Sequence, residues 1–162
     1  MTPIKYSLNI EKESTMKIEQ LGTEKDKFGN TVLIMHSDAL AMSPFYTFFL
    51  RQMASLIDNG FGYPMTTWAD EECAAVYATD QDGKILGHIV YEHLQPKSIL
   101  WITLSAVAEE ARGRGIYTLM HKYFEQVAKE KGCWAISSHI HKNNKVRLAS
   151  ADKVGMVPVF HY

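Results

Sequence analysis

LSAVAEEARGRGIYTLMHKYFEQVAKEKG, residues 104–132, carries the end of an apolar segment through a loop with two glycines and two arginines into an amphipathic stretch. Ile116, Leu119, Met120, Tyr123, Phe124 and Val127 recur at i, i+3, i+4, i+7, i+8 and i+11, one face of a helix with 3.6 residues per turn. Lys122, Glu125, Gln126, Lys129 and Glu130 fall on the other face, and Gly132 is placed to stop the helix. The pattern predicts a helix over Ile116–Lys131, its apolar residues being core, preceded by a strand over Ser98–Val107. Strand, glycine loop and helix start together suit an anion. Gly113 and Gly115 let backbone N–H groups approach it closely, and the helix N-terminus adds unpaired donors. Arg112 and Arg114 can add charge-assisted hydrogen bonds. Residues 112–117 therefore read as a site for a phosphate-bearing ligand. The loop taken alone reads better as a connecting turn with solvated arginines, and the flanking strand and helix reverse that reading. It matches neither G-x-x-x-x-G-K-S/T nor G-x-G-x-x-G, which argues against a P-loop or a Rossmann site.

Other segments supply the frame. Residues 16–21 or 31–36 provide a first strand, without a signal to decide between them. Ser43-Pro44 reads as a helix cap and first helical residue, with Phe45, Phe49, Met53 and Leu56 at helical spacing and Asp58-Asn59-Gly60 as the stop. Residues 59–71 read as a loop. Cys73–Thr79 and Ile85–Tyr91 form a hairpin about Gln81-Asp82-Gly83. Cys133–His141 is a further strand, Asn143–Val154 a helix, and Met156–Tyr162 a closing strand. The order predicts an α+β fold: an antiparallel meander followed by a strand–helix–strand crossover, in a single domain spanning residues 1–162. Residues 1–15 are polar and expected to be mobile, and Met16 is a second conceivable start.

The stretch 104–132 resembles the acetyl-CoA-binding motif of the GNAT family of N-acetyltransferases: an apolar strand ending in Val, a polar turn, then Q/R-x-x-G-x-G/A opening a helix. Arg112, Gly113, Arg114, Gly115 and Ile116 match it in place, whereas Tyr117 stands where Gly or Ala is usual. Residues 133–156 resemble the family's second conserved segment, with Asn144 and Gly155 at the matching positions, so the resemblance runs over roughly residues 72–162. It implies a mixed, mostly antiparallel sheet whose fourth and fifth strands splay apart, with the cofactor in the gap. It also implies that Ser105, Ala106 and Val107 pair with the pantetheine amides like an added strand. Little chain is left after the sixth strand to form the family's usual seventh.

Amine acetylation needs a neutral amine, a polarised thioester carbonyl and an acid for the leaving thiolate. The tyrosine that many family members use as that acid is replaced here by Ala151, with Ser150 beside it, and Trp101–Val107 contains no carboxylate. Candidate catalytic groups are Ser150, a weak acid better read as a neutral helix residue, and His139 and His141. The two histidines alternate about Ile140 near the expected thioester, and their bland reading is a pair of partly exposed strand histidines. Proximity alone, with water carrying the proton away, is a further route. A metal site joining them to His161 lacks a third ligand at a diagnostic spacing, so no metal is expected. Lys142, Lys145 and Arg147 make the start of the last helix basic, which suits either coenzyme A phosphates or an ordinary solvated helix start.

The composition constrains partners. A net charge of −1 gives no reason to expect nucleic acid or an anionic membrane, and no apolar run approaches the roughly 20 residues that span a bilayer. The N-terminus lacks a secretory apolar core, and Cys73 and Cys133, both in predicted strands, suggest reduced thiols in a cytoplasmic protein. The expected function is transfer of an acetyl group from acetyl-CoA to a primary amine, directly in a ternary complex. The acceptor is a small molecule or a protein amine, and a homodimer is left open. The rival readings are a GNAT-like acyl-CoA-binding sensor or interaction module without catalysis, and a nucleotide-binding protein using the same loop. Phe45, Tyr46, Phe61, Tyr63 and Trp68 are placed to shape the acceptor pocket or to be core.

Overall fold

The computed structural model describes residues 17–39, 46–60 and 73–159. The expected start at Met1 or Met16, the Ser43-Pro44 cap, Phe45, the aromatics of the 61–72 segment, His161 and Tyr162 lie outside the described residues.

Six strands form one sheet in chain order: β1 Ile18–Lys25, β2 Thr31–Ser37, β3 Ala74–Thr79, β4 Ile85–Leu94, β5 Ile99–Val107 and β6 Ala135–Ser138. Neighbours are antiparallel except β5 and β6, which run parallel. Both alternatives for the first strand are strands, joined as a hairpin. The splay expected between the fourth and fifth strands therefore falls between β5 and β6. These pair only from Ile99↔Ala135 to Ile102↔Ser138; β5 then continues through Thr103–Val107 with no described strand on that side. A crossover through a helix makes this parallel pair, and the short overlap leaves a gap beside the C-terminal end of β5.

The sheet carries a core on each face. Helix α1, Tyr46–Asp58, lays Phe49 against Cys73, Ala75, Tyr77, Val90 and Leu104. Helix α2, Ile116–Glu130, packs Ile116, Met120, Phe124 and Val127 with Val32, Ile34, Tyr91, Leu100 and Ile102 on the other. A bulge opposite Val90 and Tyr91 leaves Thr103 outside the register, so Leu100 and Ile102 face α2 while Leu104 faces α1. The alternation then brings Ser105 back to the α2 face, beside the cleft.

Three expectations change. The strand predicted over Cys133–His141 shortens to β6, because beyond Ser138 it has left β5, its partner among the described residues. His139 and His141 thus lie outside it, and Cys133 precedes it. Cys73 likewise sits just before β3; the two cysteines form no disulfide, Cys73 being buried and Cys133 half-buried. Residues 156–159 of the predicted closing strand pair with no described strand and leave Val157 and Val159 exposed. The last helix, α3, runs Lys145–Lys153, with Asn144 as its cap.

Candidate active site at the end of β5

From Val107 the chain makes one 3-10 turn at Glu109–Ala111 and reaches Arg112, whose Nε donates to the Val107 carbonyl at 3.4 Å. Gly113 and Gly115 both take left-handed backbone, at φ 77° and 82°. Gly115 is the N-cap of α2 and supplies no side chain; the first helical bond, Leu119 N–H to the Gly115 carbonyl, is 3.2 Å. The amides before Leu119 have no intrahelical partner and point out of the helix start. An anion there meets those donors and the positive end of the dipole.

The two arginines of the loop have different surroundings. Arg112 is exposed. Arg114 turns back and donates through Nε to Asp26 Oδ2 at 2.6 Å, in the turn between β1 and β2. The Asp26 carboxylate is fully buried and also accepts from Phe28 N at 2.8 Å, Asn30 N at 2.9 Å and Asn30 Nδ2 at 3.1 Å. Burial would raise its pKa, but the Arg114 guanidinium and the Asn30 and Phe28 donors outweigh it and hold the carboxyl well below the usual range. Lys27 N–H donates to the Arg114 carbonyl at 3.1 Å, completing a strap between turn and loop. Arg114 is thereby neutralised locally, whereas Arg112 has no carboxylate partner among the described residues.

On the other side of the α2 start, Tyr117 is 9% exposed and its ring carries the Arg147 guanidinium 4.9 Å from the centroid. Burial pushes the phenol's pKa up, opposed by the charge of Arg147 and the hydroxyl of Ser105 beside it. One turn on, His121 is 3% exposed with Nδ1 3.1 Å from Glu125 Oε1; its burial holds the imidazole toward the neutral form. Tyr117, His121 and Glu125 thus form a polar stripe at i, i+4 and i+8, beside the apolar one.

The expected cofactor residues gather here. Ser105, Ala106 and Val107 lie on β5 beyond the end of β6, and Arg112 to Tyr117 close the loop above them. Ile116 buries its side chain in the core, so only its backbone faces the site. Asn144 spends its side-chain oxygen on the Arg147 amide at 3.2 Å, capping α3.

The catalytic candidates are dispersed. Ser150 Oγ donates to the Arg147 carbonyl at 2.9 Å, a bond within its own helix. His139 is exposed with its ring edge-on to Trp101 at 4.7 Å, and His141 Nδ1 accepts from the Asn143 amide at 3.1 Å. Ala151, in the position where a tyrosine was sought, is 5% exposed. Among the described residues no three His, Cys, Asp or Glu side chains converge as a metal site, and no helix is long and apolar enough to cross a membrane.

The acetyltransferase (GNAT) family profile matches residues 40–156. The chain belongs to that family of acyl-CoA-dependent N-acetyltransferases. No curated protein matches this GNAT chain by sequence. Among solved structures it resembles an aminoglycoside acetyltransferase, meta-AAC0020, from an uncultured soil metagenomic sample. Identity is 17%, coverage is 93% of this chain and 97% of that one, and the TM-score is 0.58. A ribosomal-protein-alanine N-acetyltransferase from Brucella melitensis biovar Abortus 2308 aligns at 15% identity over 81% and 96% of the two chains, with a TM-score of 0.63. Aminoglycoside N-acetyltransferase AAC(6')-Iy in complex with CoA aligns at 13% identity over 80% and 94%, with a TM-score of 0.55. At these identities the likeness is one of fold.

Of two further residues at the site, one escapes a linear reading. Asp26 sits 88 residues from the arginine it neutralises, in a hairpin whose existence the sequence left undecided. His121 was legible: a histidine four residues from Tyr117 and four from Glu125 marks a polar seam on an otherwise apolar flank.

Proposed function

We propose that this GNAT protein moves an acetyl group from acetyl-CoA to a primary amine by direct transfer in a ternary complex. The observation that carries the reading is the cleft itself: β5 outruns β6 by Thr103–Val107 and points at an uncapped helix start. The free edge at Ser105, Ala106 and Val107 offers backbone groups to the amides of the pantetheine arm, as an added strand would. Arg112 and the amides of Gly113, Gly115, Ile116 and Tyr117 suit the pyrophosphate, while Arg114 holds the loop in shape and Asn144 holds α3. The acetyl donor supplies the thioester carbonyl; the chain supplies the position.

Proton transfer follows from what surrounds that cleft. With Ala151 in place of a phenol and Ser150 bonded within its helix, no side chain on α3 stands ready to protonate the thiolate. The amine attacks in its neutral form, and solvent takes its proton and returns one to sulfur, so the chain contributes mainly proximity. The fold relatives are named for an aminoglycoside and for a ribosomal-protein alanine, both amine acceptors, which supports an amine here without choosing one. Cysteines outside any disulfide, Cys73 and Cys133, suit the cytoplasm. The absent phenol also favours a second reading, a domain that binds acyl-CoA and does not turn it over.

A calorimetric titration with acetyl-CoA, with Arg112→Ala as control, tests the reading. Micromolar binding weakened by the substitution supports it, and thiol release in an amine screen then separates enzyme from sensor. A folded protein that binds no acetyl-CoA overturns both.

A further inference from the structure

Buried polar atoms that find no hydrogen-bond partner outside their own group concentrate at one place. Ser105 Oγ, Tyr117 OH, His121 Nε2 and Arg147 Nη2 are all inaccessible, have no partner beyond one another among the described residues, and face one another where β5, α2 and α3 meet. Native interiors rarely leave such groups orphaned, and each orphan marks a place where something else completes the bonding. The charge is the sharper part. Arg147 reaches Ser150 Oγ at 3.4 Å and the ring and hydroxyl of Tyr117, all neutral groups, and makes no ion pair with any described carboxylate. Glu125, the acid on the same seam, is held by His121. Lys142 and Lys145, the other cations of this helix start, are exposed. Arg114, on the far side of the α2 start, shows the contrast: its guanidinium has a buried carboxylate of its own.

A cation sheltered without a counter-ion is costly unless an anion joins it. Tyr117 gives that anion its direction. It is the second residue of α2, its side chain is more than nine-tenths buried, and its hydroxyl lies between Arg147 and Ser105 at the end of β5. A neutral carbonyl would satisfy the hydroxyls and leave the guanidinium uncompensated; a phosphate oxygen satisfies both.

We propose that Arg147, Tyr117 and Ser105 form a phosphate subsite between α2 and α3 that binds a phosphate group of the acyl donor. The subsite takes over the role that Arg114 has surrendered to Asp26. It rests on the acetyltransferase reading for the identity of the donor, and on the side chains alone for the anion. His121 backs the seam as a neutral imidazole and is a positioning residue.

The test compares wild type with Arg147→Met, which keeps the length and removes the charge, and with Tyr117→Phe, which removes one hydroxyl. Each is titrated with acetyl-CoA, with acetyl-3'-dephospho-CoA, with S-acetyl-pantetheine, which has no phosphate, and with inorganic phosphate. Arg147→Met is expected to bind acetyl-CoA at least about tenfold more weakly, the scale of one charge-assisted bond, with S-acetyl-pantetheine unaffected. The same weakening of the dephospho compound by Arg147→Met assigns the pyrophosphate; no weakening of it assigns the 3'-phosphate. The melting temperature of ligand-free Arg147→Met should not fall, because the substitution removes an uncompensated charge.

A fall in melting temperature with donor affinity unchanged would make Arg147 a structural partner of Tyr117 and overturn the proposal, as would equal weakening of S-acetyl-pantetheine and acetyl-CoA. If wild type binds no thioester at all, the acetyltransferase reading fails by itself. Inorganic phosphate then decides the subsite: binding that Arg147→Met abolishes retains it, and no binding removes it. Should the Met variant not fold, Arg147→Lys and Tyr117→Phe carry the same comparison.

Discussion

Alanine at Gly115 separates backbone strain from crowding at the start of α2. Gly115 sits at φ 82°, ψ 16°, and a Cβ built there meets the Lys27 side chain at 3.4 Å to Cε, 3.5 Å to Cγ and 3.9 Å to Cδ. Those are ordinary van der Waals distances to the end of a flexible chain, so crowding adds little. Left-handed backbone costs an L-residue roughly 1–2 kcal/mol, so strain is the whole effect. In a chain of this size each kcal/mol moves the midpoint by roughly 2–4 °C, which places Gly115→Ala roughly 2–8 °C below wild type in a thermal melt. Gly113, at φ 77° with nothing within 4 Å of its Cβ, should lose a similar amount on substitution by Ala. Asn, which tolerates this conformation, should recover part of the loss at both positions. The effects on ligand differ. Relieving strain at the N-cap re-aims the amides that follow it, so Gly115→Ala should weaken acetyl-CoA binding by about tenfold or more, beyond its cost in stability. A stability change at Gly115 under about 0.5 kcal/mol, within the range of an ordinary surface substitution, would refute the strain argument. So would Asn costing as much as Ala.

Three other outcomes follow from the structure. Met120, fully buried against the sheet, should cost about 2–5 kcal/mol as Met120→Ala in denaturant unfolding; a cost under about 1 kcal/mol would mean the α2 face is loosely packed. His88 is wholly buried between β3 and β5, edge-on to Phe48 and Phe49, and burial lowers its pKa from 6.5 to about 3. The unfolded chain therefore binds a proton that the fold refuses. The associated stability is complete above pH 6.5 and falls as pH drops toward 3, by up to about 1.4 kcal/mol per pH unit, and His88→Leu should flatten that slope in acid titrations followed by circular dichroism. His139→Ala and His141→Ala should each change kcat by less than about tenfold, below the usual contribution of a general acid or base, with the rate tracking the acceptor's own ionisation; a loss above about a hundredfold at either would return it to the catalytic set.

The parts of the fold that announced themselves are those with an unbroken period. Helix α2 was legible because six apolar residues repeat on one face, and the hairpin of β3 and β4 because Gln81-Asp82-Gly83 separates two apolar runs. Strand β1 was not, because it is an edge strand, IEQLGTEK, with exposed or half-buried residues throughout and no clear alternation. The alternation of His139 and His141 about Ile140 suggested a longer β6, but a parallel strand persists only as far as its partner stays alongside. At the site, the glycine loop was legible from local chemistry and the fates of its arginines were not. Nothing near Arg112 and Arg114 tells which will be neutralised, since the deciding carboxylate arrives from the first hairpin. Arg147 read as one of three cations on a helix start; the burial that sets it apart depends on Tyr117, on another helix.

The strap between Asp26 and Arg114 bears on where this protein can be cut. The family profile begins at residue 40, after both strands of the first hairpin, yet the loop that defines the family is braced by a carboxylate from before that boundary. Trimming the gene to the recognisable segment would remove two of six strands and leave Arg114 without its buried acid. The homology boundary and the cooperative unit are different objects here, and the N-terminal hairpin belongs to the second.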